Sequence, residues 1–276
     1  MAKIGIGESD FKALRLKNNY YIDKTLYIKD IIDNQSKVIL VTRPRRFGKT
    51  LNMSTLRYFF DCEKKDTLKL FNGLKIMAQN ESYTSKLGAY PCIYMTLKDV
   101  KGSNFEEMLL CFQTELNELF IEHANLLNSD KLFYVEKEMY NTILNFKANT
   151  IQLQGAIKLL SRILYRVYST PVMVFLDEYD VPLQNAYVHG FYDEAIDFFR
   201  TFYGTTFKDN SYLEKTIITG VSRVAKESIF SGANNFNVYT VLDNEFADDF
   251  GITKPEMDKI INDFHIQDSK ENLKEW

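Results

Sequence analysis

Gly48-Lys49-Thr50 is the first triplet of the chain with a definite chemistry. A lysine just inside a helix can reach the β- and γ-phosphates of a nucleotide, and the hydroxyl beside it can help hold Mg²⁺. Lys49 and Thr50 are the candidates for these roles. Arg43-Pro44-Arg45-Arg46-Phe47 precedes them as a loop, and Leu51 follows them into the helix. The N–H groups of such a loop and of the helix N-terminus offer partial positive charge to phosphate. The usual pattern has a glycine five residues before Gly48, where this chain has Arg43. If the backbone needs a positive φ there, arginine costs about 1–2 kcal/mol. Either the loop takes another path, or contacts from Arg43, Arg45 or Arg46 to phosphate offset the strain. The alternative is a basic turn that carries Gly-Lys-Thr by chance, so a second motif has to decide.

That motif is Asp177-Glu178, which follows the apolar run Val172–Leu176. Carboxyl ends of parallel strands open into the ligand crevice of an α/β sheet. Asp177 is therefore expected beside the phosphates, sharing Mg²⁺ with Thr50, and Glu178 is expected to polarise the attacking water. The plain alternative is a core strand that ends in a solvated acidic turn. Thr216–Val221 forms the next strand and leads into Ser222-Arg223. Thr219 or Ser222 is placed to sense a γ-phosphate. Arg223 either stabilises charge on that group, in cis or toward a neighbouring subunit, or is a surface arginine.

These residues need a sheet to carry them. Val38–Val41 and Pro91–Leu97 read as strands, as do Val172–Leu176 and Lys215–Gly220, with Asn237–Leu242 as a fifth. A run apolar on both faces, such as Val172–Leu176, belongs at the centre of a parallel sheet covered by helices. Helical periodicity covers Thr50–Phe60, a long segment after Ser103 with Ser103 and Glu106 as its capping box, 131–147, 151–168 and Phe191–Phe207. The expected fold is a three-layer α/β domain with a largely parallel sheet over 37–250. Residues 1–36 pack on it, either as a plain cap or closing over a nucleotide base. Thr253-Lys254-Pro255-Glu256 starts a further helix, and 251–276 reads as the start of a helical region that is cut off at Trp276.

Composition narrows the class. The 276 residues are 45% hydrophobic and 26% charged, with 17 Tyr and 21 Phe, enough to bury a sizeable core. A net charge of −3 argues against coating nucleic acid through the overall field. A local contact through Arg43, Arg45 and Arg46 stays open. Cys62, Cys92 and Cys111 are odd in number and lack metal-ligand spacing, which suits reduced thiols in a cytoplasmic protein. No apolar run approaches the roughly 18–20 residues that cross a bilayer, so no membrane partner is expected.

Four blocks resemble the bacterial AAA-ATPase-like family of P-loop proteins: Tyr21–Thr25, Arg43–Thr50, Asp177–Asp180 and Gly220–Gly232. The resemblance implies a P-loop NTPase domain with ATP and Mg²⁺ as ligands, and it makes arginine at position 43 the family's habit. Members typically continue into a domain resembling PD-(D/E)XK nucleases. This chain lacks that domain, so nuclease activity is not expected of it. The expectation is an Mg²⁺-dependent ATPase that switches a protein partner, a missing domain or a second copy of itself. The competing readings are an ATP-holding sensor with negligible turnover and a small-molecule kinase.

Overall fold

A computed structural model describes residues 5, 7–208, 210–222 and 236–266. Among them, five strands form one all-parallel sheet: β1 (Val38–Thr42), β2 (Cys92–Thr96), β3 (Val172–Asp177), β4 (Leu213–Gly220) and β5 (Phe236–Tyr239). Their spatial order is β2-β3-β4-β1-β5. The chain leaves β1 for the far edge, returns through β3 and β4, and then crosses β1 to reach β5. Strand order therefore reverses at β1, the position where open parallel sheets bind ligands beyond their carboxyl ends.

Side chains alternate across each strand, so the sheet buries both faces and divides the core in two. Val38, Leu40, Val174, Leu176 and Ile218 face one cluster. It is closed by α5 (Phe105–Glu122), α6 (Tyr134–Leu144), α8 (Ala156–Tyr168), α9 (Val181–His189) and α10 (Tyr192–Phe207). Ile39, Val41, Met173, Phe175 and Ile217 face the other, closed by α1 (Phe11–Leu16), α2 (Leu26–Asp33), α3 (Lys49–Phe60) and the short α4 (Glu81–Thr84). This is the three-layer arrangement expected from the uniformly apolar strands. β3, buried along its whole length, lies inside the sheet between β2 and β4.

Local differences have local causes. Helix α5 is capped by Asn104, whose Oδ1 accepts from the Glu107 N–H at 2.9 Å, and not by the Ser103–Glu106 box. The Ser103 N–H and hydroxyl donate instead to the Glu107 carboxyl. The expected helix over 151–168 is two helices, α7 (Thr150–Gln154) and α8, that meet at Gly155. Helix α9 lay outside the periodicity reading. Its signals are Pro182 in the first turn and Gly190 in the left-handed conformation at its end, with φ of 81°. The capping box at Thr253–Glu256 opens α11 (Lys254–Phe264) as read from the sequence. Positions 267–276 and most of the Gly220–Gly232 block, Arg223 included, lie outside the described residues. Among the described residues no helix is long and apolar enough to cross a membrane.

Candidate functional site

The loop between β1 and α3 explains the arginine at position 43. The Arg43 N–H donates to the Gly220 carbonyl at 3.1 Å, which prolongs the β1–β4 ladder. Its φ is not positive. The left-handed turns come later, at Arg46 (φ 68°) and Gly48 (φ 77°), so the steric cost falls on Arg46. Arg43 is 3% exposed, and its guanidinium donates to the carbonyls of Thr42, Tyr239 and Phe246, with the Phe250 ring 5.2 Å away. It braces the loop against β5 and the segment after it. Pro44, Arg45, Arg46 and Phe47 are exposed on the loop.

Lys49 folds back over this loop. Its Nζ donates to the Arg43 and Pro44 carbonyls at 3.0 and 2.9 Å, and burial lowers its pKa. Thr50 donates to Asp177 Oδ2 at 2.7 Å across a separation of 127 residues. Thr219 donates to Asp177 Oδ1, which also accepts from the Glu178 N–H at 3.0 Å. Asp177, at 1% exposure, is thus shared by the α3 N-terminus and the end of β4. Glu178 follows with φ of 55°, a left-handed backbone rare for a side chain this long. Burial first, and then the Asp177 charge, raise its pKa. Charges on Asp177 and Glu178 also act on Lys49, so these groups lie within electrostatic reach of one another.

The structure therefore brings Lys49, Thr50, Asp177, Glu178 and Thr219 to one end of the sheet. Ser222 follows Thr219 by three residues, but its hydroxyl is taken by Asp180 at 2.6 Å. Among the described residues no group of three or more His, Cys, Asp and Glu side chains could hold a metal. One hydroxyl and one carboxylate nevertheless suit Mg²⁺, which keeps much of its water and relies on ligand phosphates. The donor set fits that ion.

A cleft of about 490 Å³ adjoins the loop, within the size range of ligand pockets. Leu14, Tyr20, Tyr21, Phe47, Leu51 and Ile252 give it apolar walls. Sequence reasoning offered residues 1–36 beside a nucleotide site as one alternative and missed the other wall, because the two sides come from residues 5–24 and 249–260. Three contacts fasten those sides: Lys24 to Glu256 at 2.6 Å, Gly251 N–H to the Phe47 carbonyl at 3.0 Å, and Asn52 to the Asp249 carbonyl at 2.8 Å. The Tyr21–Thr25 block was the one available signal, and it gave no hint of the second wall.

Asp249 lines this cleft and hydrogen-bonds Asp30. Burial first, and then the Asp30 charge, push its carboxyl up to about 7. The folded value lies above the unfolded one, so the folded state holds an extra proton in between. Stability from this group is complete below about pH 4 and is lost as pH rises to about 7. Asp249→Asn is expected to raise the melting temperature at pH 8 by about 2–6 °C and to change little at pH 4. Melting curves at the two pH values check this, and an equal change at both contradicts it.

A family model described as "AAA-ATPase_like: Predicted AAA-ATPase" matches residues 4–230. The chain is also 24% identical over 264 residues to an "Uncharacterized protein in vnfD 5'region" of Azotobacter chroococcum mcd 1. That alignment covers 94% of this chain and 44% of the relative, so the chain spans less than half of the relative's length. No solved structure matches the chain.

Proposed function

Because this chain belongs to the predicted AAA-ATPase family, we propose that the end of its sheet binds ATP with Mg²⁺ and hydrolyses it, and that nucleotide-dependent closure drives a partner. The observation that carries the reading is the hydrogen bond from Thr50 to Asp177. It joins the phosphate-loop helix to the acidic strand, the two parts that Mg²⁺-nucleotide sites require.

In this reading the triphosphate lies along residues 44–50, and the base enters the cleft beside Phe47 and Leu51. Lys49 leaves the Arg43 and Pro44 carbonyls for the phosphates. That exchange costs two hydrogen bonds to neutral carbonyls and returns stronger ones to charged phosphate oxygens. Thr50 and Asp177 would hold Mg²⁺, which when bound neutralises phosphate charge. Glu178 orients a water toward the γ-phosphate, and its raised pKa moves it toward the range useful to a general base. Thr219 keeps Asp177 in place, and Thr219 or Ser222 senses the γ-phosphate by exchanging its present carboxylate acceptor for it. Arg223 is proposed to act on the same group from the sequence pattern alone.

A second reading is an ATP sensor with negligible turnover. It draws on the hydrogen bonds by which Lys49 and Thr50 both bond within the protein. A site that only opens and shuts on ATP would use the same contacts. The partner in either case is a protein or a domain outside this chain. Contact with nucleic acid through the exposed Arg45 and Arg46 is a further, separate proposal. It predicts DNA binding that weakens steeply with salt.

Titrating the protein with ATP, with and without Mg²⁺, while following phosphate release tests the main reading. Mg²⁺-dependent binding with steady release is expected. Binding without release selects the sensor, and no binding in either condition overturns both.

A further inference from the structure

Asp180 ends the Asp177–Asp180 block and stands at the N-cap of α9, where aspartate usually accepts from N–H groups of its own first turn. Here its side chain caps nothing. It crosses instead to the exit of β4. Asp180 Oδ2 accepts from the Ser222 N–H at 2.7 Å, the Ser222 hydroxyl at 2.6 Å and the Val221 N–H at 3.1 Å. Gln184, one turn along α9, donates to the same oxygen at 2.6 Å. Forgoing a cap costs about 1 kcal/mol, so the side chain is spent on holding the Val221–Ser222 turn.

The surroundings are built for this contact. The paired register of β3 and β4 stops at Leu176 and Ile218. Beyond it, the Tyr179 N–H donates to the Thr219 carbonyl at 3.1 Å, and the Tyr179 hydroxyl donates to the Ser222 carbonyl at 2.9 Å. Tyr203 of α10 donates to the Tyr179 carbonyl at 2.7 Å. A Cβ on Gly220 would stand 2.6 Å from both Asp180 Oδ1 and Tyr179 Cε1. Glycine is therefore required there by close approach, since its φ is not positive. Asp180 itself is fully buried.

We propose that Asp180 is a positioning residue for the nucleotide-dependent step. Past the end of the strand ladder, its carboxyl locks the β4 exit to the β3 exit, so that Thr219 and Ser222 stay in register with Asp177 and Glu178. The proposal rests on the ATPase reading above. Asp180 touches neither phosphate nor metal in it, and acts through the turn that it holds.

The test compares Asp180→Asn and Tyr179→Phe with wild type for ATP affinity, KM, kcat and amide exchange at Val221 and Ser222. An asparagine keeps the size but turns one acceptor into a donor. Asp180→Asn is expected to speed exchange at both amides and to lower kcat about 10- to 100-fold. Affinity and KM should stay within about threefold of wild type, a split that general loosening of the fold would not give. Tyr179→Phe, which removes one bond of the same clamp, should lower kcat about two- to fivefold. If Asp180→Asn does not fold, Tyr179→Phe decides. Faster exchange with wild-type kcat overturns the proposal, as does an equal loss of affinity and kcat. Wild type that binds ATP without releasing phosphate also overturns it, while nucleotide binding stands. Wild type that binds no ATP overturns the underlying reading itself.

Discussion

Replacing Lys49 with alanine is expected to abolish ATP binding in the working range, weakening it on the order of 100-fold or more. The size follows from burial. Lys49 is 6% exposed, so a phosphate that meets its ammonium does so with little water between them. In the structure the same ammonium satisfies the Arg43 and Pro44 carbonyls. Alanine therefore also removes two hydrogen bonds, worth about 1–3 kcal/mol of stability. Equilibrium binding of a fluorescent ATP analogue, with a melting curve as control, reads both effects. Wild-type affinity in a folded Lys49→Ala protein would remove the loop from the site.

Glu178→Gln is expected to have the second large effect and the opposite pattern. Glutamine has the same shape, keeps the left-handed backbone and leaves the Glu178 N–H on Asp177 in place. Binding of Mg²⁺ and ATP should therefore persist. Without a carboxylate to polarise water, steady-state phosphate release should fall about 10²- to 10⁴-fold. Removing a charge beside Asp177 is expected to tighten ATP slightly, because less negative charge then faces the triphosphate. A phosphate-release assay at saturating ATP checks this, and unchanged release would assign the water to another group.

Much of the frame was legible because the strands are short apolar runs with polar ends. Val172–Leu176 could hardly be anything but an interior strand, and its exit had to carry Asp177 to the ligand side of the sheet. That Thr50 and Asp177 touch also follows from two motifs at two strand ends. The fate of Arg43 did not follow. Sequence treats three arginines in four residues alike, whereas the β1–β4 ladder runs one residue further and aims Arg43 at carbonyls of Tyr239 and Phe246. No local pattern reports a partner some 200 positions away. The cleft has the same cause, since residues 5–24 and 249–260 carry no signal of each other.

Asp180 was hidden for a different reason. It stands two residues before Pro182, at the N-cap of α9, yet its side chain makes no cap. Its hydrogen bonds to Val221 and Ser222 and the close approach at Gly220, invisible in a single sequence, show where the carboxyl goes. Helix α9 escaped because Pro182, Asn185 and the exposed Tyr187 and Val188 leave it without a clear apolar stripe.

The most direct measurement is a structure of the protein with Mg²⁺ and a non-hydrolysable ATP analogue. One triphosphate is expected along residues 44–50, with Lys49 drawn off the Arg43 and Pro44 carbonyls and Mg²⁺ between Thr50 and Asp177. A nucleotide bound elsewhere, with the Thr50–Asp177 hydrogen bond intact, would contradict it.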